Sequence, residues 1–198
     1  MGNPNGKRIG CLLMAADSST QFASNRLMAD FRGKPLICHA LEAVPKGWLS
    51  RVAVVTQHPP IGELARAYGF EVIKNDHPEW GASYTVRLGT QAMHECNAIV
   101  YMVADQPLLD DASVERVIET WCGHPCNIVA AAHDGVPGNP CIFPREYYGE
   151  LESLQGNIGG KAVIHKNKEK LLPLEVAPEE LIDCDTPQSL QELEKLRI

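Results

Sequence analysis

The sequence is short of several features that announce common chemistries. No apolar run approaches the roughly 20 residues that a helix needs to cross a bilayer. The opening residues, MGNPNGKR, have no apolar core of the kind a secretory signal carries, so a soluble, cytoplasmic protein is expected. Gly-x-Gly-x-x-Gly is missing, and so is a Walker lysine loop, which disfavours nicotinamide-dependent and P-loop chemistry. No Ser-His-Asp or Cys-His constellation can be assigned from spacing. The 7 cysteines are scattered without a Cys-x-x-Cys pair, as expected of free, mostly buried thiols in a reducing compartment. Basic residues are in deficit: 18 Lys and Arg against 25 Asp and Glu leave a net charge of −7. That balance argues against nucleic-acid and membrane partners. It still allows a locally positive pocket for a phosphorylated small molecule.

What is present is a core. With 198 residues and 44% hydrophobic side chains, the chain suits a single domain over 1–198. Apolar runs of strand length recur at Arg8–Ala16, Arg51–Gln57, Phe70–Asn75, Ala98–Asp105 and Cys126–His133. Nearly continuous apolar runs suit strands covered on both faces. Helical segments lie between them: one near Pro35, one ending at Gly69, one opened by Asp111 as N-cap, and a last one opened by Thr186 and Pro187. Strand–helix alternation implies an α/β fold: a three-layer, doubly wound, mainly parallel sheet with ligands at the carboxyl ends of the strands. A Gly- and Pro-rich stretch at about 135–176 breaks the alternation and is expected as an excursion over one end of the sheet. Soft ligands at Cys122, His124 and Cys126 raise the thought of zinc. A helix end followed by a Gly-His-Pro turn accounts for them equally, and the spacing is cramped.

Polar clusters mark the strand ends. After the first strand comes "AADSSTQFASNR", Ala15–Arg26, which sits where a phosphate loop belongs yet contains no glycine. A surface connection would have the same composition. Ala104-Asp105-Gln106-Pro107 follows the most apolar strand; an acid there needs a partner, either a turn to cap or a cation such as Mg²⁺. In "WGASYTVRLG", Gly81 permits close backbone approach. Ser83 and Thr85 can cap the next helix, whose amino end offers N–H groups to an acceptor such as a base. Asp183 and Asp185 stand at the mouth of the final helix, where negative charge is favourable in any case.

Taken in order, these clusters resemble the nucleotidyltransferases of the molybdenum cofactor, especially the cytidylyltransferase branch, from about Arg8 to the last helix. "LMAADSSTQFASNRLMADFRGKPL" stands where that family has Leu-Ala-Ala-Gly-x-Ser-x-Arg-Met-Gly, then a lysine and Gly-x-Pro-Leu. "GASYTVRLG" is similar to its base-side segment and "MVADQPLL" to its metal-aspartate strand end. "HDGVPGNPCIFP" resembles its acceptor loop, and "DCDTPQSL" its Asp-x-Asp-Thr-Pro ending. The resemblance implies a Rossmann-like nucleotidyltransferase fold and transfer of CMP from CTP to molybdopterin phosphate, with Mg²⁺ as cofactor and a molybdenum hydroxylase as a candidate partner. It assigns Gln21, Arg26 and Asp105 to catalysis, and Asp105 and Asp185 to the metal, with Asp183 a lesser candidate. It places Ala15, Ala16, Asp17, Ser18, Ser19, Gly81, Ser83 and Thr85 at the nucleotide, and Gln106, Gly138, Asn139 and Pro140 at the acceptor.

The opening loop departs from that pattern. Asp17 replaces a glycine, Gln21 an arginine, Ala23 a glycine and Arg26 a lysine; Asn139 and Asn157 replace a histidine and an aspartate. A carboxylate about 4 Å from a phosphate charge is repelled by roughly 4 kcal/mol at an effective dielectric near 20. A lost charge-assisted bond costs about 1.5–3 kcal/mol, and every ~1.36 kcal/mol is tenfold in rate. The sequence therefore leaves three readings open: a slow but genuine transferase, a catalytically impaired relative that binds nucleotide or molybdopterin and assists maturation of a molybdenum enzyme, or a transferase for a different nucleotide or acceptor.

Overall fold

The computed structural model describes residues 6–16 and 25–196. Asp17, Ser18, Ser19 and Gln21 lie outside the described residues. The chain opens with β1 (Ile9–Met14), passes through a small ribbon of β2 (Asp30–Phe31) and β3 (Lys34–Pro35), and enters α1 (Leu36–Glu42). It continues through β4 (Arg51–Thr56), α2 (Pro59–Ala67), β5 (Glu71–Lys74), α3 (Ala82–Ala92), β6 (Ala98–Val103) and α4 (Asp111–Gly123). The second half holds β7 (Ile128–His133), β8 (Val136–Pro144), α5 (Tyr148–Glu152), α6 (Lys161–Lys166), β9 (Leu171–Glu175) and α7 (Pro187–Lys195).

Seven of these strands form one sheet in the order β5-β4-β1-β6-β8-β7-β9. Only β8 is reversed: it pairs antiparallel with β6 and β7, while the other neighbours run parallel. The three-layer, mainly parallel architecture follows from the burial of alternate side chains. Ile9, Cys11 and Leu13 of β1 belong to the core under α1, α2, α4 and α7, while Leu12 belongs to the core under α3, α5 and α6. β4 lies on one side of β1 and β6 on the other, so the winding direction switches between β1 and β6. Open α/β sheets leave a crevice at such a point, beyond the carboxyl ends of the strands. Met14 pairs with Val103, which brings Ala15-Ala16 and Ala104-Asp105 out of the sheet side by side.

The structure corrects the expected excursion. Within 135–176, β8 is an interior strand and β9 an edge strand; the residues between them leave the sheet. Asp134 (φ 50°) and Gly135 (φ 74°) make the two-residue turn between β7 and β8, with both residues in the left-handed region such a hairpin requires. Pro137 and Pro140 are tolerated because the β7–β8 ladder shifts register between Ala130 and Ala132. A smaller correction concerns α4. Its N-cap is Asp110, whose carboxylate accepts from Ala112 N at 3.1 Å, and Asp111 is the first helical residue. The last helix begins as the sequence suggests, with Thr186 Oγ1 accepting from Ser189 N at 3.0 Å and Pro187 in the first turn.

α3 lies unusually close to β1. A Cβ on Gly89 would sit 2.2 Å from Leu12 Cδ2. Replacing Gly89 by valine is expected to cost about 1–3 kcal/mol through overpacking. That exceeds the at most ~1 kcal/mol gained on leaving glycine in a helix. A lower urea midpoint with an unchanged m-value is the expected result for Gly89→Val, and an unshifted midpoint would show that α3 can lift off the strand.

Candidate active site at the β1–β6 crevice

Asp105 leaves β6 at the crevice and is 8% exposed. Its backbone oxygen accepts from Cys184 N at 2.8 Å, which fastens the segment before α7 against the end of β6. Cys184 is fully buried, and Asp183 and Asp185 flank it. Asp183 accepts from Gln106 Nε2 at 2.9 Å. Asp185, whose side chain is 64% exposed, accepts from Arg26 Nη1 at 2.5 Å. The other fork of the same guanidinium, Nη2, donates to Asp105 Oδ2 at 2.5 Å. The two acids expected to share a metal ion thus meet, and they meet through Arg26.

Arg26 is itself 6% exposed. It begins a short 3₁₀ turn, Arg26–Met28, capped by Asn25 Oδ1 accepting from Leu27 N at 2.9 Å. Asp105 Oδ1 is buried and has no hydrogen-bond donor among the described residues. Burial pushes the Asp105 carboxyl up to about 6 against the pull of Arg26, and the charges of Asp183 and Asp185 add to the rise. Burial likewise raises Asp183, opposed by its bond from Gln106. Acids held this way have an unmet demand for positive charge.

Beside this cluster lies a cavity of about 500 Å³. Met14 and Val103 form its floor at the strand ends, and Gln106 and Asp183 stand on one side. Of the three β8 residues assigned to the acceptor, Gly138 and Asn139 line it and Pro140 does not. Two basic side chains that sequence reasoning did not single out also face it, His133 at the end of β7 and Lys161 at the start of α6. A Gly-Gly-Lys run opening a helix was the available signal for Lys161, since glycines let backbone and ammonium approach an anion together.

The base-side residues are placed differently from expectation. Ala15 and Ala16 are buried at the exit of β1. Gly81 (φ 80°) is required by its conformation and by crowding, since a Cβ there would lie 2.7 Å from Gly156 O. Ser83 and Thr85 do not cap α3. Both are buried; Ser83 Oγ donates to Trp80 O at 3.4 Å, and Thr85 Oγ1 accepts from Asn75 Nδ2 at 3.2 Å. The amino-terminal N–H groups of α3 are also taken: Ala82 N donates to Asn157 Oδ1 at 3.3 Å and Ser83 N to Gly156 O at 3.2 Å. Cys122 is buried, Cys126 is exposed, and they form no metal-holding group with His124. Among the described residues, the His/Cys/Asp/Glu group compact enough to hold an ion is His133, Asp134 and Glu175.

Comparisons with known proteins bear on the family and the fold. The 3-deoxy-manno-octulosonate cytidylyltransferase of Serratia proteamaculans is 33% identical over 122 residues, covering 57% of this chain and 47% of that protein. The chain therefore spans about half the length of the curated relatives it matches. A Mycobacterium tuberculosis protein solved in complex with manganese superposes with a TM-score of 0.76 at 21% identity, covering 96% of this chain and 99% of that one. Molybdopterin-guanine dinucleotide biosynthesis protein A from Archaeoglobus fulgidus gives a TM-score of 0.71 at 14% identity, covering 94% and 97% of the two chains. Among the described residues, no helix is long and apolar enough to cross a membrane. The sequence profile of one family matches residues 11–171, from β1 to the start of β9, and so takes in the Arg26–Asp105 pair and the cavity wall as far as Ile164: the chain belongs to the MobA-like NTP transferase domain family.

Proposed function

We propose that this protein is a divalent-metal-dependent cytidylyltransferase that moves CMP from CTP to the phosphate of a molybdopterin-type acceptor. The observation that carries the reading is the pairing of Asp105 and Asp185 on one guanidinium at the β1–β6 crevice, beside a cavity with basic residues on its wall. The cytidylyltransferase relative supports CTP as donor, and the structural neighbour in molybdopterin dinucleotide synthesis supports the acceptor.

The donor set fits a hard divalent cation. Asp105 is buried, its Oδ1 having no donor among the described residues, and the Asp185 side chain is 64% exposed. Asp105 and Asp185 would hold Mg²⁺, which when bound neutralises charge on the triphosphate. The remaining work falls to the chain. Arg26 supplies a forked cation for phosphate oxygens. Gln106 fixes Asp183 through its amide, keeping that acid from swinging toward the anionic substrates. Lys161 and His133 face the acceptor cavity, where an ammonium and an imidazole can orient an anion. An acceptor phosphate oxygen then attacks the α-phosphorus in line. The bond from that phosphorus to the oxygen bridging it to the β-phosphorus breaks, and pyrophosphate leaves. Catalysis on this scheme is positioning and charge stabilisation rather than covalent chemistry.

Incubation with CTP, Mg²⁺ and molybdopterin should release pyrophosphate, and Asp105→Asn should lower the rate by about 100-fold or more. No release above a protein-free control, with an active homologue run alongside, would remove the transferase reading; calorimetry with CTP and molybdopterin then decides whether the impaired, binding-only reading survives. An arm with 3-deoxy-manno-octulosonate tests the relative's acceptor on the same scale.

Lys161→Met should separate the two substrates. Losing one charge-assisted bond of about 1.5–3 kcal/mol raises the acceptor KM by roughly 10- to 100-fold. The KM for CTP should stay within about twofold, because Lys161 lines the cavity and Asp105 and Asp185 do not. An equal rise in both values would place the lysine at the nucleotide instead.

A further inference from the structure

The grip of Arg26 on both acids has a consequence for the order in which ligands enter. Nη1 and Nη2 lie 2.5 Å from Asp185 Oδ1 and Asp105 Oδ2. A magnesium ion taking these same two oxygens would need them at about 2.0–2.1 Å, and both now accept from the guanidinium. Two cations therefore compete for one pair of anions. The competition is not between mobile surface groups: Arg26 is 6% exposed and its backbone is fixed in a capped turn. The side chain can leave its partners only if another anion takes the guanidinium. In this crevice the substrate able to do that is a triphosphate, for which a planar fork of donors is well matched.

We propose that Arg26 is a resident counter-ion that holds the metal site closed until a nucleoside triphosphate draws the guanidinium away, so that metal and nucleotide bind with positive coupling. This inference rests on the reading of Asp105 and Asp185 as the metal pair. It assigns Arg26 two successive sets of partners, carboxylates in the resting protein and phosphate oxygens in the loaded one. By linkage, whatever factor the triphosphate contributes to metal affinity the metal returns to triphosphate affinity.

The test is Mn²⁺ binding followed by electron paramagnetic resonance, in the full chain without substrate turnover. Wild-type protein should bind Mn²⁺ weakly alone and at least about tenfold more tightly with CTP or inorganic tripolyphosphate present. Arg26→Met should bind Mn²⁺ alone at least about tenfold more tightly than wild type, with most of the triphosphate effect gone. Arg26→Lys, which keeps a charge next to Asp105 but cannot fork to both acids, should fall between them; it also serves if the methionine variant, with a buried carboxylate left unpaired, is unfolded by thermal melting. If neither variant binds Mn²⁺ better than wild type, the closed-site proposal is overturned. Asp105→Asn reports separately on the metal pair: if it leaves Mn²⁺ binding intact in the Arg26→Lys background, the metal assignment itself fails, and the proposal with it.

Discussion

One backbone hydrogen bond organises the crevice, from Cys184 N to Asp105 O. It joins the end of an interior strand to the approach of the last helix, across 79 positions of sequence. Together with the bonds from Gln106 to Asp183 and from Arg26 to Asp185, it keeps both acids beside Asp105. With it, three carboxylates are crowded into a partly dry space, and the energetics of the site follow. Burying one charge next to others of its own sign is unfavourable unless a cation joins them. Arg26 is that cation in the resting fold. Removing one partner of such a buried pair typically costs about 3–5 kcal/mol, because the remaining charge is stranded.

The reversed strand β8 shapes the other half of the site. In an all-parallel sheet, the strand next to β6 would deliver its carboxyl end to the crevice. Here β8 arrives from the tight Asp134-Gly135 turn and delivers its amino end, so Gly138 and Asn139 face the cavity while Cys141, Ile142 and Phe143 are buried in the sheet. The same reversal places His133 at the rim. A binding wall is thus made from a hairpin rather than from a long loop, with Gly138 and Asn139 at the point where the β7–β8 ladder shifts register.

Much of this was legible from residues. Four of the five apolar runs are strands largely buried on both faces, and continuous burial leaves a continuous apolar signature; the fifth, β5, is a half-exposed edge strand. Asp105 could be picked out because an acid ending such a run is costly to desolvate. β8 was concealed by Pro137 and Pro140, which are depleted in strands, although His-Asp-Gly-Val carries a recognisable hairpin signal. Ser83 and Thr85 have the right types for a ligand site, but their hydroxyls turn inward to Trp80 and Asn75, an orientation set by α3 packing that no local pattern encodes. The double role of Arg26 was out of reach for the same reason: its partners lie 79 and 159 residues away.

The turn at Gly156-Asn157 has a mechanical consequence. At one end it receives the first amides of α3 and presses against Gly81; four residues later, as Gly160-Lys161, it lines the cavity. The amino end of α3 and the ammonium at the start of α6 therefore hang from one short strap of chain, so the placing of one helix start fixes that of the other.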